Sequence, residues 1–590
     1  MTSISNQVVA ELLNKVAIVY QLQNENKFKI IAYQQAAEVV GMCTQSVYDV
    51  WKEGNLQTIN GIGKTIANHL QEYFKCTDEN YLVDIIAHIP QTVFILVKVP
   101  GIGPKRSYKL VTHLHLDNPL TALDDLRTAI ENNELSHMEG FGIKSQQQLS
   151  ENLLLYIKQS ASQKRMLFPF AQKAAHQLIK YLTLNPHVIR CEPLGSLRRH
   201  VETIGDIDIA LVAKEEHFST IIDYIALYPS CLRVDNKGSK KISIIVAPHI
   251  RVDIRLTTAS GFGTMLQYFT GSKMHNIRLR EYAQKIDLSL SEYSITNKKT
   301  GEHYTFETEE QLYSFLNLDY ISPLLREGTD EISRAQKHSL PVLVSLKDIR
   351  GDLHIHSNFP IQTSHDIGAH SFTTLAAKAI QRGYTYIGFT EHNPRSKESP
   401  LQVVSLLQNR RLRAQRELAT IPIDYYLGLE VDIRPDGTLA LCDEGIEQLD
   451  YIIVSIHSSF RMDQTTATAR VLKALSYPKV RIFGHPTGRK LEERDGLMLD
   501  WKQIFPLCRQ RDIALEINAW PQRLDLSDAL VRQAIAAGVR CIINTDTHAR
   551  DDMDNMRCGI AVAQRGWCEK KNIVNTLPQK EFKKWILKQD

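Results

Sequence analysis

Residues 195–212 read GSLRRHVETIGDIDIALV. The apolar run Ile207–Val212 reads as a buried strand. Residues two apart on a strand face the same way, so Asp206 and Asp208 present two carboxylates on one side. Farther on, RVDIRL (251–256) alternates in the manner of a second strand, and Asp253 within it offers a third carboxylate. Three hard oxygen donors suit Mg²⁺, which usually also takes phosphate oxygens from a substrate. Two such ions stabilise the attacking and leaving oxygens of an in-line phosphoryl displacement. The Gly195-Ser196 turn, with Arg199, offers amides, a hydroxyl and a guanidinium to a triphosphate. A D-x-D pair alone is commonly a solvated strand end; the preceding Gly-Ser turn and the later aspartate make this one specific.

Around this segment lie 590 residues, roughly four folding units at about 150 residues each. With 70 Lys plus Arg against 66 Asp plus Glu, the formal net charge is +4. A purely electrostatic nucleic-acid coat is excluded, but a local basic face is not. A composition 43% hydrophobic and 23% charged excludes wholesale disorder. Nine cysteines without a C-x-x-C pair point to a reducing compartment rather than a secreted disulfide framework. No apolar run approaches the ~20 residues of a membrane helix, and the N-terminus lacks the build of a signal peptide. A cytoplasmic protein with no membrane partner is expected.

Residues 1 to about 160 show helical spacing, as in Val8, Leu12, Val16 and Val19. Glycine pairs recur at Gly61/Gly63, Gly101/Gly103 and Gly140/Gly142. Their spacing of about 40 residues permits a helical solenoid, although little else repeats. A glycine pair between helices turns the backbone tightly, and bare amides at a helix N-terminus can hold a phosphate without reading a base. Lys64 follows the first pair; Lys105 and Arg106 follow the second. These stretches resemble helix-hairpin-helix DNA-binding motifs; the third, GFGIKSQQQL, is the weakest.

The carboxylate set with its Gly-Ser turn resembles the nucleotidyltransferase palm of family X DNA polymerases, and the likeness covers about residues 1–335. It implies that Asp206, Asp208 and Asp253 are catalytic and hold Mg²⁺ or Mn²⁺. It implies a dNTP site at Gly195, Ser196, Arg199 and Gly205, with Tyr268, Phe269 and Gly271 along the sugar and Asn276 facing the base. DNA would be held at Gly61, Gly63, Lys64, Gly101, Gly103 and Lys105. Two departures stand out. Lys273 replaces the family's aspartate after the Gly-Ser pair of YFTGS. His69 stands where animal members carry a Schiff-base lysine, so lyase activity is not implied.

After residue 348 short apolar strands alternate with helical stretches, the rhythm of a (β/α) barrel. Seven strand candidates lie near Leu353, Tyr386–Phe389, Tyr426–Val431, Tyr451–Ile456, Arg481–Phe483, Ile513–Ile517 and Cys541–Asn544. Six end in metal-ligand types: His354 and His356, His392, Glu430, His457, His485, and Asp546 with His548. Only Ile513–Ile517 lacks a clear one. Barrel sites gather where strands end, and mixed imidazole and carboxylate suit Zn²⁺, Mn²⁺ or Fe²⁺. This third resembles the PHP phosphoesterase domain, and the order polymerase then PHP is that of bacterial and archaeal PolX. The resemblance implies a metal-cluster 3′–5′ exonuclease, often with AP-endonuclease or 3′-phosphatase activity. The family's Ser-Asp-Gly after H-x-H is replaced by SNFPIQTSHDIG (357–368), where Asp366 is the candidate for the missing aspartate. His365 and His370 read as incidental, Glu391 stands where aspartate usually precedes the histidine, and Arg489 is a candidate phosphate contact.

The expected fold is therefore multidomain. A helical DNA-binding domain over 1–85 and a fingers-like helical domain over 86–160 lead into an α/β nucleotidyltransferase palm over 161–258. A thumb-like domain over 259–332 and a linker over 333–347 precede a C-terminal (β/α)7-like PHP barrel over 348–590. The expected activity is gap-filling DNA polymerisation with a metal-dependent nuclease, by a monomer acting on gapped or nicked duplex DNA and dNTPs. Two other readings remain: a nucleotidyltransferase joined to a histidinol-phosphatase-like enzyme, and a DNA-binding scaffold with decayed metal sites.

Overall fold

In a computed structural model, the structure describes residues 6–42, 47–52, 54–59, 61–75, 81–119, 121–138, 141–163, 165–363, 365–395 and 398–588. The chain divides into two compact units, 1–164 and 165–590.

The first unit is helical throughout its described residues. Helix Asn6–Leu22 buries Val9, Leu13 and Val16 in one core with Val40, Leu70 and Phe74; a second core gathers Val93, Leu96, Leu110, Leu126 and Leu153. The first two glycine pairs solve the same backbone problem. Gly61 (φ +97°) and Gly101 (φ +87°) take the left-handed turn, which costs glycine nothing. Helices Lys64–Lys75 and Pro104–His113 begin directly after Gly63 and Gly103. The recurrence belongs to the turn: the two helices differ in length and feed separate cores, so the solenoid reading falls. Gly140 of the third pair lies outside the described residues.

The second unit begins with a five-stranded sheet in the order Arg190–Pro193, Ile207–Val212, Ile250–Thr257, Lys241–Val246, Cys231–Lys237. Ile207–Val212 and Ile250–Thr257 run parallel. Helices Phe168–Leu182 and Phe218–Ala226 bury Leu178, Ile221 and Ile225 against this sheet's Ile209, Leu211 and Ile254. A thumb core follows, around Leu279, Leu312, Tyr313 and Leu325.

Two parallel sheets then form the barrel. One orders Gly351–Asp352, Tyr386–Phe389 and Asp424–Leu427; the other orders Leu429–Asp432, Ile452–Ser455, Val480–Phe483, Ala514–Asn518 and Cys541–Asn544. The strand expected at Tyr426–Val431 is broken at Gly428 and belongs to both sheets. Parallel bridges Ile355–Thr547 and His392–Glu430 join the sheets at both edges. The far end of the barrel interior is filled by Tyr386, Tyr451 and Ile482 and closed by Phe582 and Trp585 of helix Gln579–Leu587.

Residues 333–347, expected as a linker, are instead a packed seam. Leu340 and Leu343 lie on the thumb core, Val344 is buried in the barrel core, and the Val344 amide donates to the Cys568 carbonyl at 2.9 Å. Apolar side chains on this short stretch have cores on both sides to enter, so it cannot act as a free tether. Trp567 of the barrel module enters the thumb core, and Arg489 pairs with Glu202 of the palm at 3.0 Å.

Candidate functional site

The palm register puts Asp208 directly beside Asp253 on neighbouring parallel strands. Asp206 sits exposed just before its strand. Burial, then the nearby Asp206 and Asp253, raise the Asp208 carboxyl to about 6. Burial also works to raise Asp253, but its partners prevail and hold it below the usual carboxylate range. Lys241 is 2.7 Å from Asp253 Oδ2, and Arg251 is 3.4 Å from Oδ1. Gly195 turns at φ +57°, and a Cβ there would lie 2.9 Å from Asp208 Oδ2. Glycine thus lets the turn run against the carboxylate pair.

The expected dNTP residues gather around this turn. Gly195–Arg198 forms a single helical turn, and Arg199 donates to the Thr270 carbonyl beside Gly271. Gly205 is exposed next to Asp206, and Ser196 is half-buried. Tyr268 and Phe269 meet edge to face at 5.1 Å, with Arg255 over the Phe269 ring at 4.0 Å. Asn276 donates to the Tyr268 carbonyl at 2.7 Å and accepts from Gln267 at 3.0 Å, so here it braces the Tyr268–Phe269 segment. Buried Glu309 binds Arg198 and Arg326, each at 2.6 Å, tying the palm turn to the thumb.

In the first unit Gly61, Gly63, Lys64, Gly101, Gly103 and Lys105 are all exposed, and Lys105 donates to Asn24. His69 meets Tyr33 Oη at 2.5 Å and stacks on Tyr81 at 4.3 Å. Burial lowers its pKa, and the ring sits in an aromatic cluster.

At the barrel's strand ends the expected ligands converge on Glu430. Its Oε2 lies 3.2 Å from His354 Nε2, 3.6 Å from His356 Nε2 and 3.0 Å from His392 Nδ1; its Oε1 lies 3.3 Å from His457 Nε2 and 2.8 Å from His485 Nε2. Asp546 adds Oδ1 at 3.3 Å from His356 Nε2. The His356 and His548 rings stack at 4.0 Å. Four overlapping donor groups result: His354, His356, Glu430 and Asp546; Glu430, His457 and His485; His356, His392 and His548; His365, His392 and His457.

Divalent cations fit this arrangement. His354 Nε2, both His356 nitrogens, His392 Nδ1, Glu430 Oε2 and His485 Nδ1 are buried with no hydrogen bond, and each such atom costs about 1–3 kcal/mol if left unmet. Burial pushes His392 down to about 3, so its ring is neutral, the form that ligates.

Several residues differ from expectation. Asp366 is exposed and belongs to none of the donor groups among the described residues. The segment turns the preceding side chain inward instead, so His365 joins His392 and His457. The strand thought to lack a ligand carries Glu516, whose Oε1 holds His354 Nδ1 at 2.7 Å. Asp432 holds His457 Nδ1 at 2.6 Å and His365 Nε2 at 2.9 Å. Two signals were available: a carboxylate inside the apolar run ALEIN, and the Glu430/Asp432 alternation, which repeats that of Asp206/Asp208. Glu391 pairs with Arg410 and accepts from the Ser357 amide at 3.1 Å, a packing role. Arg489 donates to the Arg523 and Leu524 carbonyls and pairs with Glu202, so it ties modules together rather than waiting for phosphate. His370 accepts from the Arg550 amide at 3.2 Å.

A palm carboxylate cluster, a thumb, helical hairpins and a strand-end histidine cluster together define a two-site nucleotidyltransferase–phosphoesterase. Family models described as helix-hairpin-helix domain, DNA polymerase beta thumb and PHP domain match residues 4–77, 265–327 and 352–519. The chain is 32% identical over 590 residues to the DNA polymerase/3′-5′ exonuclease PolX of Bacillus subtilis (strain 168), covering 99% of each. It is 22% identical over 348 residues to DNA polymerase lambda of Rattus norvegicus, covering 55% of this chain and 56% of that one. The chain belongs to the PolX family of DNA polymerases. No helix among the described residues is long and apolar enough to cross a membrane.

Proposed function

We propose that this chain is a DNA-repair enzyme that fills short gaps in duplex DNA and removes nucleotides from 3′ ends, using a separate metal-dependent site for each reaction. The observation that carries the reading is the coexistence, in one unit, of the Asp208/Asp253 register pair at the Gly195 turn and the buried cluster centred on Glu430. The end-to-end likeness to a polymerase/exonuclease supports it.

In the palm, Asp206, Asp208 and Asp253 hold Mg²⁺ or Mn²⁺. Gly195, Ser196, Gly205 and Arg199 cradle the triphosphate. Tyr268, Phe269 and Gly271 line the sugar, and Asn276 faces the base while bracing the Tyr268 carbonyl. In the barrel, His354, His356, Glu430 and Asp546 hold one cation, Glu430, His457 and His485 another, and His392, His548 and His365 complete the cluster, with Mn²⁺, Zn²⁺ or Fe²⁺ suited to the mixed donors. Such cations, when bound, neutralise charge on the attacking and leaving oxygens at phosphorus. Glu516 and Asp432 fix the ring orientations of His354 and of His457 with His365. The hairpins at Gly61–Lys64 and Gly101–Lys105, in segments 1–85 and 86–160, grip the duplex backbone through amides and lysines. AP-endonuclease and 3′-phosphatase activities draw on the same phosphoesterase chemistry. The enzyme acts as a monomer in the cytoplasm, on the nucleoid.

An end-labelled duplex with a one-nucleotide gap, incubated with Mn²⁺ with and without dNTPs, tests both halves. The primer should grow with dNTPs and shrink without them. D206A/D208A should remove growth alone, and H354A/H356A shrinkage alone. A wild-type protein that binds this duplex but neither extends nor trims it overturns the reading.

A further inference from the structure

Arg565 ends the barrel-module helix Met556–Arg565 and is buried at the seam. Its guanidinium reaches Asp528 Oδ2 within the barrel at 2.6 Å. Across the seam it donates to Glu327 Oε1 at 2.9 Å and to the backbone carbonyl of Arg199 at 3.0 Å. The same Glu327 oxygen lies 3.5 Å from Arg199 Nε, which is buried and has no hydrogen bond. One carboxylate therefore stands between two guanidiniums and leans toward Arg565. Arg199 is left with its contact to the Thr270 carbonyl, beside the sugar-side segment.

We propose that Arg565 is a positioning residue for nucleotide binding: it draws Glu327 away from Arg199 and pins the turn's carbonyl, keeping the Arg199 guanidinium available for the triphosphate. The inference rests on the reading that Arg199 meets the triphosphate. The physical reason is competition. A charge-assisted Arg–carboxylate pair is strong where water is scarce, so a fully formed Arg199–Glu327 pair would have to be broken by each incoming nucleotide. Arg565 supplies the carboxylate with another partner. In this way a residue of the nuclease module sets the nucleotide affinity of the polymerase module, 366 residues away in sequence.

The test is single-nucleotide insertion into a gapped duplex by the full-length protein, with dNTP titrated and KM and kcat read separately. R565A should raise KM for dNTP by about tenfold, the size expected for neighbours in one ionic network, with kcat little changed, the pattern of lost ground-state binding. R565A/E327Q should return KM toward the wild-type value, because no carboxylate remains to capture Arg199. E202Q, which cuts the neighbouring Arg489 tie but not the turn, should leave KM unchanged. R565K keeps the charge with fewer donors and should give an intermediate KM, also lowered by E327Q; it carries the test if R565A does not fold. A KM rise in R565A that E202Q matches, or that E327Q fails to reverse, reduces Arg565 to a docking contact and overturns the inference. R199A separates the two claims. If it leaves KM unchanged, the Arg199 reading itself falls; if it raises KM while R565A does not, only the present inference falls.

Discussion

The palm and the barrel each gather metal-ligand side chains, carboxylates in one and mostly imidazoles in the other, and they do so in opposite ways. The palm triad is open on one side: Asp206 is exposed, and Asp253 is balanced by Lys241 and Arg251 at its edge. The barrel centre is closed. His354, His356, Glu430 and His485 are fully or almost fully buried, and several of their nitrogens and oxygens meet no hydrogen-bond partner. An open triad suits cations that arrive with a nucleotide and leave with pyrophosphate. A closed nest of unmet donors suits cations that stay, because their departure would strand buried polar atoms. The contrast teaches that two clusters of metal-ligand side chains differ in burial and prior partnering as well as in donor type.

Four experiments sharpen or break this contrast. The largest effect is expected for E430Q, which removes the carboxylate shared by two donor groups. Protein-bound metal, read by elemental analysis, should drop, and trimming should fall to background while gap filling continues. Equal loss of both activities would break the separation of the sites. D208N should do the reverse, abolishing extension while leaving the bound metal content of the barrel unchanged; a drop in that content would show the sites to be coupled.

A smaller effect is expected for E516A, since Glu516 lies outside the donor groups and its loss removes the acceptor that holds His354 Nδ1. Loss of such an orienting partner typically costs about 10–100-fold in metal affinity or activity, readable as a shifted metal titration of trimming. An unchanged titration would mean that packing alone holds the ring.

The smallest effect concerns the seam between the modules. Burial, with Arg565 nearby, lowers His200 to about 4. A histidine depressed in the folded state is protonated first in the unfolded chain. Stability should therefore decline as pH falls from about 6.5, its ordinary value, toward about 4, and this contribution should level off below that. His200 has φ +53°, which asparagine tolerates. H200N should flatten the decline in a thermal-melt series across this pH window. An unaltered slope would assign the acid sensitivity to other groups.

Legibility in the sequence followed the range of the interactions. The strand-end histidines could be read because successive parallel strands of a barrel end on one face, so a ligand type at each end implies convergence. Asp208 and Asp253 could be read because each sits in a strand-like run, whereas Asp206 lies just before its strand, outside the two-residue period. The hairpin turns at Gly61 and Gly101 could be read because only a few residues and one positive φ define them. Asp366, read as the candidate ligand, and His365, read as incidental, are neighbours in a segment with no periodicity, and nothing local says which side chain turns inward. Residues 333–347 looked like a tether because the cores that bury Leu343 and Val344 are built from distant chain.

The sequence by itself determined which chemistry was available: three carboxylates behind a Gly-Ser turn, imidazoles and carboxylates at strand ends, and glycine turns followed by lysines. It did so through contacts a few residues long. Only the tertiary structure decided which of those groups are partnered and which are left open. Glu516 turns to His354, Asp432 joins His457 to His365, Arg489 is spent on Glu202, and Glu327 lies between Arg199 and Arg565. The physical reason is that hydrogen bonds and ion pairs in a buried site are assigned by competition among groups brought together from remote parts of the chain. That competition has no period or spacing in the sequence.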